Sequence, residues 1–388
     1  MNLGSASAAP GCATEVGLTE RVLITGGAGF IGSHLARHLL ATGAEVRVLD
    51  NLTEQVHADG GRPDYLPDEA ELIVGDVRDP DRVASALVGI DVVVHFAARV
   101  GVGQSMYEIA EYASVNTHGT AVLLQAMVQR PIRKLLVASS MSIYGEGLYR
   151  GPDGRLGPGE ERPRAQLEEG LWELVDAAGH ALTPVPTPEW KTPSLASNYA
   201  LGKYDQERMC LLFGSAYDVP AVALRFFNVY GPDQSLSNPY TGVLAIFANR
   251  LLNGRPPLIF EDGGQRRDFV SVQDVARACT LAIAGDGADG RALNIGSGQS
   301  VTVAEVARRL AATLGRDGLP AEITGRYRTG DIRHCFADIE LAGELLGYAP
   351  EVDLTDGMAE LAEWLEGRIG EDRVDAAAAE LTARGLTR

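Results

Sequence analysis

Tyr199 and Lys203 stand four positions apart in Tyr199-Ala200-Leu201-Gly202-Lys203. On a helix, residues at that spacing share one face. A free phenol titrates near pH ~10 and a lysine ammonium near ~10.4. A neighbouring ammonium favours phenolate and draws the tyrosine toward neutral pH, where it can take a proton from a hydroxyl. Y-x-x-x-K alone is a common surface pattern, so its meaning depends on what surrounds it. A second hydroxyl is needed to hold the reacting group. The run Leu135-Leu136-Val137-Ala138 leads into Ser139-Ser140-Met141-Ser142, and open α/β sheets bind ligands beyond the carboxyl ends of their strands. Ser140 is the choice for this role. Ser139 and Ser142 stay open as caps or cofactor contacts.

A partner for that chemistry is written near the N-terminus. The apolar run Val22-Leu23-Ile24 stops in Thr25-Gly26-Gly27-Ala28-Gly29-Phe30-Ile31-Gly32, and a helical pattern starts at once. Gly27, Gly29 and Gly32 fit G-x-G-x-x-G; Gly26, Gly29 and Gly32 fit the register shifted by one. Such a turn brings backbone close to a diphosphate, whose charge suits a helix N-terminus. The next apolar run, Val46-Arg47-Val48-Leu49, ends in Asp50-Asn51. An acid at that strand tip accepts ribose hydroxyls and repels a 2′-phosphate, which favours NAD over NADP. Asp76-Val77 closes a later run and is a candidate for the adenine edge, with helix capping the competing reading for Asp76. Phe96-Ala97-Ala98 closes another, with small residues where a cofactor passes closely.

These elements must sit on one sheet. Strand-like runs fall near 21–25, 45–49, 71–74, 91–96 and 133–139, alternating with helical patterns. That rhythm predicts an α/β fold with a doubly wound parallel sheet. A long helix is expected over 104–129, with Asn116 inside it, another over 199–217, and a strand over 221–225. Residues 146–192, rich in Gly and Pro, interrupt the alternation; about 45 residues exceed an ordinary connection. A short helix is expected within 165–175 and a terminal one within 371–388. The division that follows is a disordered tail at 1–19, a cofactor domain at 20–228 and a smaller mixed region at 229–388. A segment near 270–298 is expected to return to the first domain.

Composition narrows the partners. The chain has 388 residues, 45% apolar and 22% charged, with a net charge of −18. This acidic balance disfavours nucleic acid as a partner. No run approaches the ~20 apolar residues of a membrane span. Cys12, Cys210, Cys279 and Cys335 form no C-x-x-C pair, so neither zinc nor a disulfide framework is expected. A reducing cytoplasm is the expected compartment. His34 and His38 share a helix face, but two histidines without a third ligand are ordinary structural residues, and no metal is expected.

Together the motifs resemble the extended short-chain dehydrogenase/reductase family, and within it the nucleotide-sugar epimerases and dehydratases. The resemblance spans roughly 20–365. It rests on the glycine turn, Asp50-Asn51, His95-Phe96-Ala97-Ala98, Ser139-Ser140, Tyr199/Lys203, Arg225-Phe226-Phe227-Asn228-Val229-Tyr230-Gly231-Pro232 and Arg267-Asp268-Phe269-Val270. It implies a Rossmann domain, NAD as cofactor and a nucleotide-diphosphate sugar as substrate. Tyr199 then resembles the catalytic base, Lys203 its activator and Ser140 the hydroxyl partner. Phe30, Ile31 and Asn116 join the cofactor contacts. Ser142 and Asn228 face the substrate. Arg267 and Arg333 resemble the arginines on the diphosphate, a role that guanidinium geometry suits. Val243 and Phe260 are expected to line the base pocket. Helices near 104–129 and 199–217 resemble those of the family's dimer bundle, so a homodimer is expected.

The resemblance also ranks the reactions. Dehydratases of the family place Asp-Glu after the serine or threonine; here Met141 and Ser142 stand there. Fucose-synthase-type members use NADPH, which Asp50 opposes. What remains is 4-epimerisation by transient oxidation at C4 and return of the same hydride. Gln104-Ser105-Met106-Tyr107-Glu108-Ile109 and Asn238-Pro239-Tyr240-Thr241-Gly242-Val243 are similar to the dTDP-L-rhamnose 4-epimerase subgroup. A UDP-hexose or UDP-uronate 4-epimerase is the nearest alternative. A dehydratase, a reductase or a non-catalytic NAD-sensing protein ranks below it.

Overall fold

The computed structural model describes residues 19–57, 60–236, 238, 242–328, 330–368, 370 and 372–387. Nearly all of the expected N-terminal tail, with Cys12, lies outside the described residues, as do Pro239, Tyr240 and Thr241.

Seven strands form one parallel sheet: β1 (Arg21–Thr25), β2 (Glu45–Asp50), β3 (Glu71–Val74), β4 (Val92–His95), β5 (Lys134–Ser140), β6 (Ala221–Phe226) and β7 (Ala292–Ile295). Their order is β7-β6-β5-β4-β1-β2-β3. β1 lies between β2 and β4, with Ile24 opposite Val48 and Val94. This is the doubly wound sheet expected from the alternation. The order reverses beside β1, and there the carboxyl ends splay into a crevice.

Both faces are covered, which is why these strands read as unbroken apolar runs. On one face, helices Phe30–Ala41 and Val272–Ala284 enclose Leu35, Leu39, Val275 and Cys279 against Ile24, Val94 and Leu136. On the other, Pro80–Ala86, Gly119–Met127 and Asn198–Tyr217 bury Val83, Leu123 and Phe213 against Leu23, Val93 and Leu135. β7 and the helix before it come from beyond residue 270, so the chain crosses back into this layer late.

A separate core joins helices Val243–Leu252, Val303–Thr313 and Leu354–Leu365 around Phe247, Leu310 and Leu361. Short pairings tie it to the main sheet's edge, Asn228–Tyr230 beside Phe269–Ser271 and Arg266–Arg267 beside His334–Cys335. The insertion builds a small antiparallel sheet from Leu148–Arg150, Leu156–Pro158 and Thr183–Val185. Its helix spans only Arg164–Glu168, because the chain turns left-handed at Gly170. The C-terminal helix spans Val374–Ala383.

One expected element is broken. Instead of a continuous helix over 104–129, Val102–Ser105 and Ile109–Tyr112 precede a π-helical turn at Ala113–His118, and the regular helix Gly119–Met127 follows. The bulge turns Asn116 inward, where its Oδ1 accepts from the Arg99 N–H at 2.7 Å and its amide donates to the Arg99 carbonyl at 3.1 Å. Such bulges occur often at functional sites.

The seam between β5, β6 and Asn198–Tyr217 holds a buried ion pair. Arg225 donates twice to Glu207, at 2.9 and 2.7 Å, and Glu207 also accepts from the Ser139 hydroxyl at 2.6 Å. Losing one partner strands the other charge. Arg225→Met is expected to cost about 3–5 kcal/mol of stability in urea unfolding. A loss below about 1 kcal/mol would show that Glu207 finds solvent or another partner.

Candidate active site

The carboxyl ends of β1, β2, β4, β5 and β6 border a cavity of about 500 Å³. Its floor is the turn between β1 and the helix Phe30–Ala41. Gly26 has φ +70, and a Cβ there would stand 2.7 Å from the Ala97 nitrogen. A Cβ on Gly32 would stand 2.5 Å from the Gly27 Cα. The helix starts at Gly29 with no side chain capping its N–H groups. Those free donors and their dipole face the cavity, a ready cradle for a diphosphate.

Asp50 closes the β2 end of the cavity. It accepts from Ala28 N–H at 3.1 Å and Leu52 N–H at 2.9 Å. Burial raises its carboxyl, while the Leu52 bond, the His57 charge and the Ala28 bond oppose that rise. Asp76 also lines the cavity, gripped by Arg78 at 2.7 Å and by Asn51 at 3.2 Å. The Arg78 bond holds Asp76 below the usual carboxylate range. A glycine cradle, uncapped N–H donors and an acid at the second strand tip fit an NAD molecule.

Across the cavity, Ser140 ends β5 and Tyr199 opens the helix Asn198–Tyr217. Ser197 caps that helix, accepting from Ala200 N–H at 3.1 Å. The Ser140 side chain acts on the Tyr199 phenol across the cavity wall. Burial pushes the phenol above its ordinary value, and the Ser140 side chain opposes that. Ser140 Oγ also accepts from the Ser142 hydroxyl at 2.9 Å and the Ser142 N–H at 3.2 Å. Lys203, 3% exposed, lies one turn below Tyr199. Its amine does not bond to Tyr199. It donates to Gln206 Oε1 at 2.7 Å. Burial lowers Lys203 to about 7, with Cys210 and Glu207 opposing. No hydrogen bond joins ammonium to phenol in this structure: the amine turns toward the next helical turn, and burial is the largest influence on both groups.

Gly26, Gly29, Phe30, Ile31, Gly32, Asp50, Asn51, Asp76, Val77, Phe96, Ala97, Ala98, Ser139, Ser140, Ser142, Tyr199, Lys203 and Asn228 all line this cavity. Five others do not. Asn116 is fully buried and braces the Arg99 backbone. Val243 starts a helix and packs against the third core. Phe260 lies beneath the Arg328 guanidinium, 4.1 Å from its ring centre. Arg267 donates to the backbone carbonyls of Arg266, Ile332 and Arg333. Arg333 is 1% exposed and surrounded by acids: Glu173 at 2.6 Å, Asp262 at 2.6 Å and Glu261 at 2.9 Å. Each of these donors is committed within the protein, and Glu173 comes from the insertion.

Arg99, His57 and Gln234 line the cavity without having been singled out, and Asn238, quoted above only within a longer motif, lines it too. Arg99 follows Ala97-Ala98 directly, so its place at a strand end was the available signal. His57 sits in a loop whose path no periodicity reveals. Among the described residues, no three His, Cys, Asp or Glu side chains gather as a metal site. No described helix is long and apolar enough to cross a membrane.

A doubly wound sheet with a dinucleotide cradle and a Ser-Tyr pair beside it defines an NAD-dependent enzyme. Residues 22–165 and 178–296 match the NAD dependent epimerase/dehydratase family, and the chain belongs to it. The chain is 36% identical over 351 residues to a dTDP-L-rhamnose 4-epimerase of Burkholderia thailandensis, covering 89% of this chain and 95% of the relative. It superposes on the UDP-glucose 4-epimerase of Thermotoga maritima, solved with UDP-glucose, with a TM-score of 0.74 and 31% identity over 89% of this chain and 99% of that one. It superposes likewise on the Thermus thermophilus UDP-glucose 4-epimerase in complex with NAD, with a TM-score of 0.70 and 31% identity over 90% and 100%.

The depressed Lys203 has a thermodynamic signature. Unfolded, this amine keeps its proton up to its ordinary 10.5; folded, it releases it near 7. Between those values the unfolded chain binds more protons, so this group's contribution to stability rises with pH. The stability of Lys203→Met minus that of the wild type is expected to fall as pH rises from 7 toward 10.5, measured by urea unfolding of NAD-free protein. A difference that stays flat across this window would show that the buried amine stays charged.

Proposed function

We propose that this enzyme is a nucleotide-sugar 4-epimerase that interconverts dTDP-L-rhamnose and dTDP-6-deoxy-L-talose. The observation that carries the reading is the Ser140–Tyr199 pair at the cavity wall, flanked by Met141 and Ser142 rather than by two acids. Neither Met141 nor Ser142 readily protonates a neighbouring carbon or departing hydroxyl, so elimination of water has no acid here. The 36% relative supports the rhamnose donor. The Thermotoga maritima neighbour supports a UDP-hexose as the alternative.

NAD, when bound, supplies a hydride acceptor that returns the hydride to the same carbon. The protein's own residues handle the proton and the geometry. Ser140 holds the C4 hydroxyl through its Oγ. Tyr199 takes the hydroxyl proton and gives it back. Lys203 sets the charge beside Tyr199 and holds the ribose. The glycine turn with Phe30 and Ile31 receives the diphosphate of NAD, Asp50 and Asn51 its ribose, and Asp76 and Val77 its adenine. Phe96, Ala97 and Ala98 leave room for its backbone. Asn228, whose amide donates to the Asp268 carbonyl at 2.8 Å, faces the substrate. Residues 229–388 supply most of the substrate side. Anchoring the nucleotide end allows the sugar to turn in place.

A reducing cytoplasm suits the buried free thiols Cys210, Cys279 and Cys335. A homodimer suits the exposed apolar side chains Leu201, Leu212 and Tyr217 on one helix and Ile109 on its neighbour. Light scattering is expected to give twice the chain mass; a monomeric mass would remove the dimer.

Incubation of the NAD-loaded protein with dTDP-L-rhamnose and with UDP-glucose, followed by NMR, is expected to show the talose product from the first. Tyr199→Phe is expected to lose at least about 100-fold in kcat, the size of general acid–base loss. Turnover of UDP-glucose alone would transfer the substrate to the alternative. Full activity in the phenylalanine variant would remove Tyr199 from the chemistry.

A further inference from the structure

We propose that Gln206 is a positioning residue for this reaction: its side-chain oxygen holds the Lys203 amine at the cavity wall, and its amide end ties that amine to the ends of β4 and β1. The inference rests on the Tyr199/Lys203 reading above.

Gln206 is 0% exposed, three residues beyond Lys203 on the same helix. Its Oε1 accepts from Lys203 Nζ at 2.7 Å. Its Nε2 stands 3.1 Å from the Ala97 carbonyl, 3.1 Å from Thr120 Oγ1 and 3.0 Å from His95 Nε2. A carbonyl only accepts, so the NH₂ group must face Ala97. Turning the amide over would set two oxygens against each other and two donors against Lys203. The oxygen's direction is thus fixed by the β4 backbone. Beyond it, His95 Nδ1 meets Thr25 Oγ1 at 2.8 Å, and Thr25 Oγ1 accepts from Ala97 N–H at 3.3 Å. The chain of bonds therefore runs from Lys203 to the same strand ends that shape the cofactor cradle.

The charges around Lys203 give this neutral acceptor its importance. Glu207 and Cys210 share its helix, Tyr199 lies one turn above, His95 faces it from β4, and Ser139 and Ser140 end the neighbouring β5. Glu207 is occupied by Arg225 through two bonds. Burial pushes the Cys210 thiol up to about 12, so it carries no charge at neutral pH. Burial lowers His95 to about 3, so it too is neutral. Among the described residues, the acceptor that meets the amine is an amide dipole rather than a free carboxylate. An amide stabilises an ammonium without locking it charged. Bound NAD and Tyr199 are consequently left to set the state of the amine.

Gln206→Met keeps length and apolar bulk and removes the acceptor. In NAD-loaded protein, tyrosinate absorbance with the Tyr199→Phe variant as reference reports the Tyr199 titration without substrate. The methionine variant is expected to titrate about one pH unit higher, the size of one hydrogen bond to a charged group. With the nucleotide sugar, kcat is expected to fall about tenfold at neutral pH, with KM little changed and the acidic limb of the pH profile moved upward. Gln206→Asn, which keeps the amide but withdraws the oxygen, is expected to do the same and serves if the methionine variant does not fold. A folded, NAD-containing variant with an unmoved tyrosine titration overturns the proposal, as does a change confined to KM. A wild-type protein that turns over no nucleotide sugar would sink the epimerase reading instead, while the tyrosine titration still decides Gln206.

Discussion

The site depends on backbones approaching more closely than side chains permit. Gly26 meets the Ala97 backbone and Gly32 meets Gly27, each at a distance that leaves no space for a Cβ. This contact seats the first helix against β1 and β4 and opens its N–H groups to the cavity. It also sets where Ala97 lies, and Ala97 in turn orients Gln206 and through it the Lys203 amine. The glycine turn and the Lys203 amine thus share one backbone anchor. A shift of that turn would be felt in cofactor binding and in the chemistry together.

Charge in this acidic chain is managed by pairing rather than by exposure. Glu207 and Arg225 neutralise each other behind β5, which leaves Ser139 tied down and Ser140 free to face the cavity. A second cluster joins the insertion to the smaller region: Arg333 and Arg162 meet Glu146, Glu173, Glu261 and Asp262. It contains more carboxylates than guanidiniums, so its arginines are already satisfied. Such buried pairs contribute little net stability, but removing one partner is costly. The insertion is thereby fastened to the loop after Ile259 and to the strand at His334–Cys335, rather than lying loose over the surface.

The Tyr199/Lys203 pair illustrates how burial changes an expectation drawn from spacing. An i, i+4 tyrosine and lysine share a helix face, and an exposed pair would be governed by charge. Here Lys203 is buried and Tyr199 half-buried at the cavity wall, and desolvation raises one and lowers the other. The tyrosine's partner is a serine from another strand and the lysine's is a glutamine from its own helix. Ser140 was expected beside Tyr199; Gln206 beside Lys203 was not.

Much of the fold was legible because its signals are local. Apolar runs ending in Gly, Asp, Ala or Ser marked the strands and their carboxyl ends, and the glycine turn announced a backbone that something must approach. Tyr199, Lys203, Ser140 and Asp50 could be placed from such motifs. Arg333 and Arg267 could not, since a guanidinium says nothing of which acid or carbonyl lies nearby until the insertion folds onto it. Neither could the π turn, which turns Asn116 onto the Arg99 backbone. Gln206 reads as one polar residue on a helix until β4 packs against it. Sequence by itself determined periodicity, strand tips and the turn, because those follow from neighbours along the chain. Only the tertiary structure decided partners, burial and protonation, because these are set by groups that the chain keeps far apart until it is folded.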